Sequence, residues 1–257
     1  MITAGIIGVT LVALGAPVST LATSAPERPV AAPASPIADE DWAFGAALSL
    51  YSGVGFLTRR SEWNRQLAST GYEPLEPFTG ELGARLALSY NGAVLGVSGA
   101  YGVTVTDGEG RREVSLGSLF VEGGYDFAKT SWLTLQPSVG LGWVRSSFCF
   151  MAQPGDAVPP PVGPPIAQIL RAPGRRTCLD TDTAAARVGF LLGLRSTEDG
   201  AALLAGIRPT FSVPFAQSAY RVRDEGLPPI AGPGAPPVTF LVNVELGLGV
   251  GLGRRVW

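Results

Sequence analysis

The sequence contains no histidine among its 257 residues, and lysine occurs only once, at Lys129. Without histidine, a Ser/His/Asp catalytic arrangement is excluded, because it depends on an imidazole as the general base. Charged residues make up only 16% of the chain, and the formal net charge is −2. A nucleic-acid-binding protein normally carries a basic stripe, so the composition disfavours that class.

Long apolar runs are also scarce. After the N-terminal stretch Ile2–Val18, no run of 18 apolar residues occurs, so the rest of the chain has no candidate for a membrane-spanning helix. Hydrophobic residues nevertheless make up 46% of the chain, and 34 residues are glycine. Hydrophobicity without a long apolar block is typical of strands that alternate a lipid-facing and an inward-facing side.

The N-terminus predicts a segment that is removed on export. An apolar stretch is followed by small residues, and cleavage after Ser24 or after Ala22 fits the small-residue rule. The alternative is a short N-terminal membrane anchor. We therefore expect a signal peptide over residues 1–24, a disordered Pro/Ala-rich linker over 25–41, and one folded domain over 42–257.

The folded domain shows a period of two along most of its length. In the last stretch every second residue from Val238 to Leu252 is apolar, and the residues between are polar or glycine, apart from Leu241. This strand is long enough to cross a membrane, which takes about 9–11 residues. Eight segments share the pattern: Trp42–Phe56, Leu82–Tyr90, Ala93–Val105, Val114–Phe127, Leu133–Arg145, Ala184–Arg195, Leu203–Phe215 and Val238–Trp257.

Short and long connections alternate between these segments. Asn91-Gly92 is the dipeptide favoured in tight hairpin turns, whereas the stretches 57–80, 149–182 and 216–237 are long. With an even number of strands, both termini and the short turns fall on one side and the long loops on the other. A ten-stranded variant stays open if Leu57–Gly80 contains a hairpin.

From Trp42 to Trp257 the chain resembles the small, porin-like, eight-stranded outer-membrane β-barrels of Gram-negative bacteria. The resemblance rests on the strand Gln136–Trp143, on the glycine-rich alternation and on the aromatic C-terminus. It implies an all-β, closed antiparallel up-and-down barrel with periplasmic termini and extracellular loops. It also implies that the last strand and Trp257 are recognised by the barrel-assembly machinery.

Alternation alone leaves two orientations of the apolar face. A soluble lipocalin-like barrel would enclose it around a ligand, and a membrane barrel would turn it toward lipid. The polar face is mostly Gly, Ala, Ser and Thr, which suits a crowded lumen better than a soluble exterior. Aromatic residues also fall near strand ends on the apolar face, as an interfacial girdle would: Trp42, Phe56, Tyr90, Tyr125, Phe127 and Phe215. We therefore expect the membrane orientation.

Charged residues on inward positions predict a network inside the barrel, because a charge in a narrow lumen must be paired. We expect its centre at Arg187, Arg208 and Glu245. The network would be either a structural plug or a gate or proton path, and we favour the plug. Its predicted members are Arg85, Glu122, Arg187, Arg208 and Glu245.

Cys149 and Cys178 are the only cysteines, and both fall in the longest predicted loop. In an exported chain two cysteines favour a disulfide. It would close a loop of about 30 residues and stabilise it by roughly 3–4 kcal/mol. Metal ligation by two thiols without histidine is the weaker alternative, and the sequence predicts no metal or cofactor site.

Arginines in the predicted loops are candidates for binding lipopolysaccharide phosphates, although ordinary solvated charge is an equal alternative. They are Arg59, Arg60, Arg111, Arg112, Arg171, Arg175, Arg176, Arg221 and Arg223. The enzymes among outer-membrane barrels generally rely on a catalytic histidine. Only the carboxylate pairs Glu109/Glu113 and Asp180/Asp182 remain as catalytic candidates, so we expect no enzyme. The expected function is structural or surface-interacting, with a narrow solute channel as the alternative.

Overall fold

The computed structural model describes residues 44–58, 60–69, 72–105, 112–128, 132–151, 166, 176–198, 201–223, 228–234 and 238–252. The predicted signal peptide and linker lie outside these residues, as do Trp42 and Trp257. No helix in the described ranges is both long and apolar enough to cross a membrane.

Nine strands and one helix are formed by the described residues. They are β1 (Phe44–Leu57), α1 (Ser61–Ser69), β2 (Phe78–Tyr90), β3 (Ala93–Val105), β4 (Arg112–Tyr125), β5 (Leu133–Met151), β6 (Arg176–Glu198), β7 (Ala201–Gln217), β8 (Arg221–Val222) and β9 (Val238–Leu252). Eight of the strands close into an antiparallel barrel, since β1 pairs with β9 and β5 pairs with β6. The two-residue β8 lies outside the ring and pairs with β6.

The connections confirm an eight-stranded barrel. Asn91 and Gly92 both have positive φ angles and form the tight turn between β2 and β3. The stretch between β1 and β2 forms helix α1 rather than a hairpin, so the ten-stranded variant is wrong. The barrel has a termini end, where β1 begins and β9 stops, and an opposite loop end.

The apolar face of the strands points outward. Leu48, Leu82 and Leu248 are each more than half exposed, while the residues of the other face are buried in the lumen. From Phe44 to Phe56 the exposed band on β1 spans roughly 30 Å, at about 3.3 Å per residue and a tilt of about 40°. This matches the hydrocarbon core of a bilayer. The soluble lipocalin-like orientation is therefore wrong.

Aromatic side chains rim this band at both ends, as expected. At the loop end Phe56 contacts Phe78 and Phe240, with ring centroids 4.8 and 6.0 Å away. At the termini end Tyr125 and Phe127 contact one another at 4.9 Å. Such residues occupy the boundary between lipid tails and head groups.

Above the band, β4, β5 and β6 continue beyond the barrel wall. These outer ends (Arg112–Leu116, Arg145–Met151 and Arg176–Thr183) combine with α1, β8 and residues 72–77 and 228–234 into a structure that we call the cap. The sequence predicted that β5 would end at Arg145 and that β6 would begin at Ala184, and both boundaries were wrong.

Candidate functional site

All five predicted interior charges point into the lumen and lie in one layer at mid-height. Each is at most 7% exposed. The layer contains five ion pairs: Arg85–Glu122 at 3.6 Å, Arg85–Glu245 at 3.8 Å, Arg187–Glu122 at 3.7 Å, Arg208–Glu122 at 3.3 Å and Arg208–Glu245 at 2.7 Å. We call this set of five residues the Arg/Glu layer.

The two glutamates are the centre of the layer. The sequence predicted a centre at Arg187, Arg208 and Glu245, and of these Glu245 is one of the two. Glu122 meets three arginines and Glu245 meets two. Arg208 bridges both carboxylates through its Nε and Nη1 atoms. Arg187 pairs with Glu122 and lies over the Phe120 ring, with its Cζ atom 3.5 Å from the centroid, a cation–π contact.

Hydroxyl groups add three hydrogen bonds to the layer. The Ser49 hydroxyl donates to Glu245 Oε1 at 2.5 Å, and the Ser98 hydroxyl donates to Glu122 Oε1 at 3.1 Å. Arg187 Nε donates to the Ser212 hydroxyl at 3.3 Å. Buried carboxylates with several donors hold their charge at much lower cost than isolated ones.

Glycine makes room for these large inward side chains. Gly140 lies beside Glu122 on the neighbouring strand, and a Cβ at Gly140 would lie 2.8 Å from Glu122 Cγ and 2.7 Å from the Val121 carbonyl oxygen. A Cβ at Gly83 would collide with the Tyr51 ring. The glycine-rich strands therefore reflect the narrowness of an eight-stranded lumen.

Glu81 is a further inward carboxylate that the sequence reasoning missed. Its Oε1 atom is buried without a hydrogen-bond partner among the described residues, and Arg187 is close enough to interact with it electrostatically. Glu81 lies four residues before Arg85, so it shares the parity of an inward position. It was missed because β2 was predicted to begin only at Leu82.

A second charge pair lies near the termini end of the lumen. Arg195 Nη1 lies 3.0 Å from Asp126 Oδ2. Asp126 Oδ1 also accepts hydrogen bonds from the backbone amides of Ala128 and Leu135. This pair is not among the interior charges predicted from the sequence.

Between the Arg/Glu layer and the termini end lies a cavity of about 50 Å³. Apolar side chains form most of its wall, and charged groups stand at both ends. It is lined by Ala47, Ser49, Arg85, Ala87, Val94, Asp126, Thr134, Gln136, Leu191, Arg195, Ala202, Leu204, Glu245 and Gly249.

The cap has a hydrophobic core of its own, centred on Trp63 of α1. The Trp63 ring stacks on Phe148 at 4.6 Å and meets Tyr220 edge-on at 5.6 Å. Its Nε1 atom donates to the Tyr220 hydroxyl at 3.2 Å, and that hydroxyl donates to the Pro233 carbonyl at 2.8 Å. Burial raises the pKa of Tyr220 to about 12. The core comprises Leu57, Trp63, Leu67, Tyr72, Leu75, Val114, Leu116, Phe148, Phe150, Ile166, Leu179, Tyr220, Val222 and Ile230.

The Cys149–Cys178 disulfide is present, as predicted. The cysteines are not in a loop, however. They face one another in register near the outer ends of β5 and β6. The bond therefore fastens the end of a hairpin that supports the cap core, in addition to closing the loop between the two strands.

Charge pairs cover the outward face of the cap. Arg145 Nε lies 2.9 Å from Asp182 Oδ1, and Arg223 contacts both oxygens of Asp180 at 2.8 and 3.0 Å. Burial acts to raise the pKa of Asp180, but hydrogen bonds from Arg223 and Ser147 outweigh it and lower that pKa below its ordinary value. The hydrogen bond to Asp182 raises the pKa of Arg145.

These contacts bear on the candidate carboxylate pairs. Asp180 and Asp182 each bind a separate arginine instead of sharing a site. Glu113 pairs with Arg176 at 2.5 Å, and its candidate partner Glu109 lies outside the described residues. Within the described ranges, no group of three or more His, Cys, Asp or Glu side chains could hold a metal ion.

Known proteins resemble this chain in fold only. No protein-family model and no curated protein matches it in sequence. Among solved structures, Neisserial surface protein A is 12% identical, with a TM-score of 0.41, over 81% of this chain and 96% of that one. The strands of this chain pair into a closed ring, and its exterior is apolar. The chain has the fold of a small outer-membrane β-barrel.

Two other barrels show the same degree of likeness. Ail, the attachment invasion locus protein of Yersinia pestis, is 10% identical, with a TM-score of 0.38, over 83% of this chain and 99% of Ail. A major outer membrane protein from Thermus thermophilus is 11% identical, with a TM-score of 0.41, over 80% of this chain and 99% of that one.

Most of the candidate loop arginines among the described residues bind carbonyl or carboxylate groups of the same chain. Arg60 donates to the carbonyls of Leu57 and Leu75, at 3.1 and 2.7 Å, and Arg112 is buried and donates to the Glu73 carbonyl. Arg176 and Arg223 form the ion pairs described above, and Arg221 is exposed. The remaining candidates, Arg59, Arg111, Arg171 and Arg175, lie outside the described residues.

Proposed function

We propose that this chain is a bacterial outer-membrane barrel that presents its cap at the cell surface as an interaction module and whose lumen does not conduct. The observation that carries this proposal is the cap. A loop end that only joined strands would need no aromatic core around Trp63 and no disulfide. A fixed shape lowers the entropy cost of binding a partner, which favours recognition over simple strand connection.

A plugged lumen is supported by the Arg/Glu layer. Its side chains come from β2, β4, β6, β7 and β9 and meet in the middle of the barrel. An ion passing this level would have to separate buried charge pairs, which costs several kcal/mol. The cavity below the layer is the one observation that favours a narrow channel instead.

The outer-membrane setting carries three further proposals. The termini face the periplasm and the cap faces outward, with Trp257 serving as the signal for the barrel-assembly machinery. Lipopolysaccharide phosphates contact the arginines at the lower edge of the cap. Arg145 is one of these, because it follows the lipid-facing Trp143 on the outward row of β5 and its side chain is 68% exposed even while it pairs with Asp182.

An enzymatic role is not part of the proposal. The candidate carboxylates among the described residues, Glu113, Asp180 and Asp182, are engaged in ion pairs with arginine, and the chain contains no histidine. A general base with a free carboxylate would need a neighbouring pocket for substrate, and the lumen cavity is too small for most substrates.

The test measures conductance and surface exposure on the same protein. In planar bilayers the purified barrel should give no conductance steps, and steady steps would support the channel instead. Glu62 is exposed on α1, so a Glu62→Cys variant should react with an impermeant thiol reagent on intact cells. A lack of reaction, with the protein in the outer membrane, would contradict the outward cap.

A further inference from the structure

The two halves of the lumen differ in their access to solvent. On the loop side of the Arg/Glu layer, inward Thr79, Leu241, Asn243 and Thr210 are each at most 4% exposed. On the termini side, inward Leu204 is only half-buried. Val94, Thr134 and Ala202 on the termini side are also at most 8% exposed, but that half contains a cavity and is therefore the more open one.

The cavity lies wholly in this more open half. Val94, Thr134 and Ala202, which line it, are the second residues of β3, β5 and β7. These strands begin at the termini end, so the cavity extends to the level at which the barrel strands begin there. In the other direction it stops at Arg85 and Glu245.

Two residues that line the cavity each have a buried polar atom without a hydrogen-bond partner among the described residues. Gln136 is 5% exposed, and its Nε2 atom has no hydrogen-bond partner among the described residues. Arg85 Nε likewise makes no hydrogen bond there, although it lies 3.6 Å from Glu122. Buried donors of this kind normally bind ordered water. At about 10–15 Å³ per water, the cavity has room for roughly three to five molecules.

The charges around the cavity are balanced. Arg85 and Arg195 carry positive charge, and Asp126 and Glu245 carry negative charge. A site with equal numbers of both signs does not favour an ion of either sign, but it offers donors and acceptors to any small polar molecule.

We propose that the lumen is a one-ended vestibule, filled with water, which opens at the termini end and admits small polar solutes of either charge sign as far as Arg85 and Glu245. This inference rests on the proposed closed lumen and extends it. The closed lumen requires only that nothing passes the Arg/Glu layer. The vestibule further requires that the termini side of that layer is hydrated and accessible to small solutes.

Cysteine accessibility tests this directly, since both native cysteines are in the disulfide. In reconstituted vesicles, Ala202→Cys should lose its free thiol completely to impermeant methanethiosulfonates added at the termini end. Cationic and anionic reagents should act similarly. Ser212→Cys, on the loop side of the layer, should keep its thiol from both sides. Glu62→Cys marks the cap side, and Ala47→Cys replaces Ala202→Cys if that variant does not fold.

The outcomes separate the vestibule from the closed lumen. If the Ala202→Cys thiol reacts from neither side, the vestibule is refuted while the closed lumen stands. If it also reacts from the cap side, a through-path exists and both are refuted. Reaction of Ser212→Cys from the cap side would show that the cap end is not sealed, and this would refute the one-ended vestibule.

Discussion

Replacing Glu245 by glutamine is the sharpest perturbation of the Arg/Glu layer. Glu245 is 0% exposed, forms ion pairs with Arg208 and Arg85, and accepts a hydrogen bond from the Ser49 hydroxyl. The glutamine keeps the volume but removes the charge. The layer contains three arginines and two glutamates, so its formal charge rises from +1 to +2. Breaking a buried ion pair by removing one partner costs about 3–5 kcal/mol, and we expect a loss of that size.

A double-mutant cycle distinguishes charge imbalance from lost packing. Arg208→Met, combined with Glu245→Gln, returns the formal charge of the layer to +1. We therefore expect the double variant to lose less than the sum of the two single variants, with a coupling energy of about 1–3 kcal/mol. Glu62→Gln on the exposed surface of α1 is the matched control, with an effect within about 0.5 kcal/mol.

The assay is urea unfolding of the barrel in lipid vesicles, followed by tryptophan fluorescence. The free energy of unfolding should fall, while its slope against urea concentration should stay unchanged, because the surface exposed on unfolding is the same. A loss below about 1 kcal/mol for Glu245→Gln would refute the reasoning, since it would mean that water, rather than Arg208, Arg85 and Ser49, stabilises the charge of the carboxylate.

Three further predictions concern packing, the disulfide and pH. Gly140→Ala should lose about 1–3 kcal/mol in the same unfolding assay because its Cβ meets Glu122, whereas Gly117→Ala, with open space around it, should be nearly neutral. Replacing both cysteines by serine should cost roughly 3–4 kcal/mol in the chain-entropy model, seen as faster proteolysis of the cap around an intact barrel; unchanged proteolysis would contradict this. The lowered pKa of Asp180 stabilises the cap above the unfolded pKa of about 3.9. That contribution should be lost as the pH falls through the folded pKa, and Asp180→Asn should abolish this part of the pH dependence.

The barrel itself could be predicted from the sequence because one physical constraint applies along its whole wall. Lipid requires an apolar side chain at every second position, and the narrow lumen requires small or paired polar ones. The two-residue alternation along each strand predicted that Arg85, Glu122 and Glu245 point into the lumen, and the structure brings them together there. The geometry within the layer depends on side-chain reach across strands, which spacing along one strand does not give.

The cap could not be predicted by the same rule. Beyond the membrane band, the inward side of the strands becomes the apolar one and the outward side the polar one. On β5, outward Leu141 and Trp143 face lipid, but further along inward Phe148 and Phe150 are buried in the cap core and outward Arg145 is exposed. The period of two continues while its polarity inverts. A search for outward apolar residues therefore ended β5 too early and began β6 too late.

Helix α1 was missed for a different reason. Its two buried residues, Trp63 and Leu67, are four apart, which is helical spacing. The helix is only nine residues long, and isolated helices of that length are marginal. It forms because Trp63 packs against Phe148 and Tyr220, contacts that are distant in sequence.

The central claim is a closed barrel whose apolar face contacts lipid, and gel mobility tests it most directly. Membrane-fraction protein is compared in SDS with and without boiling, since a closed barrel stays folded in unheated SDS. The account predicts two different mobilities, with the protein in the outer-membrane fraction. A single mobility, with the protein in the soluble fraction, would contradict it and turn the apolar face toward an enclosed ligand.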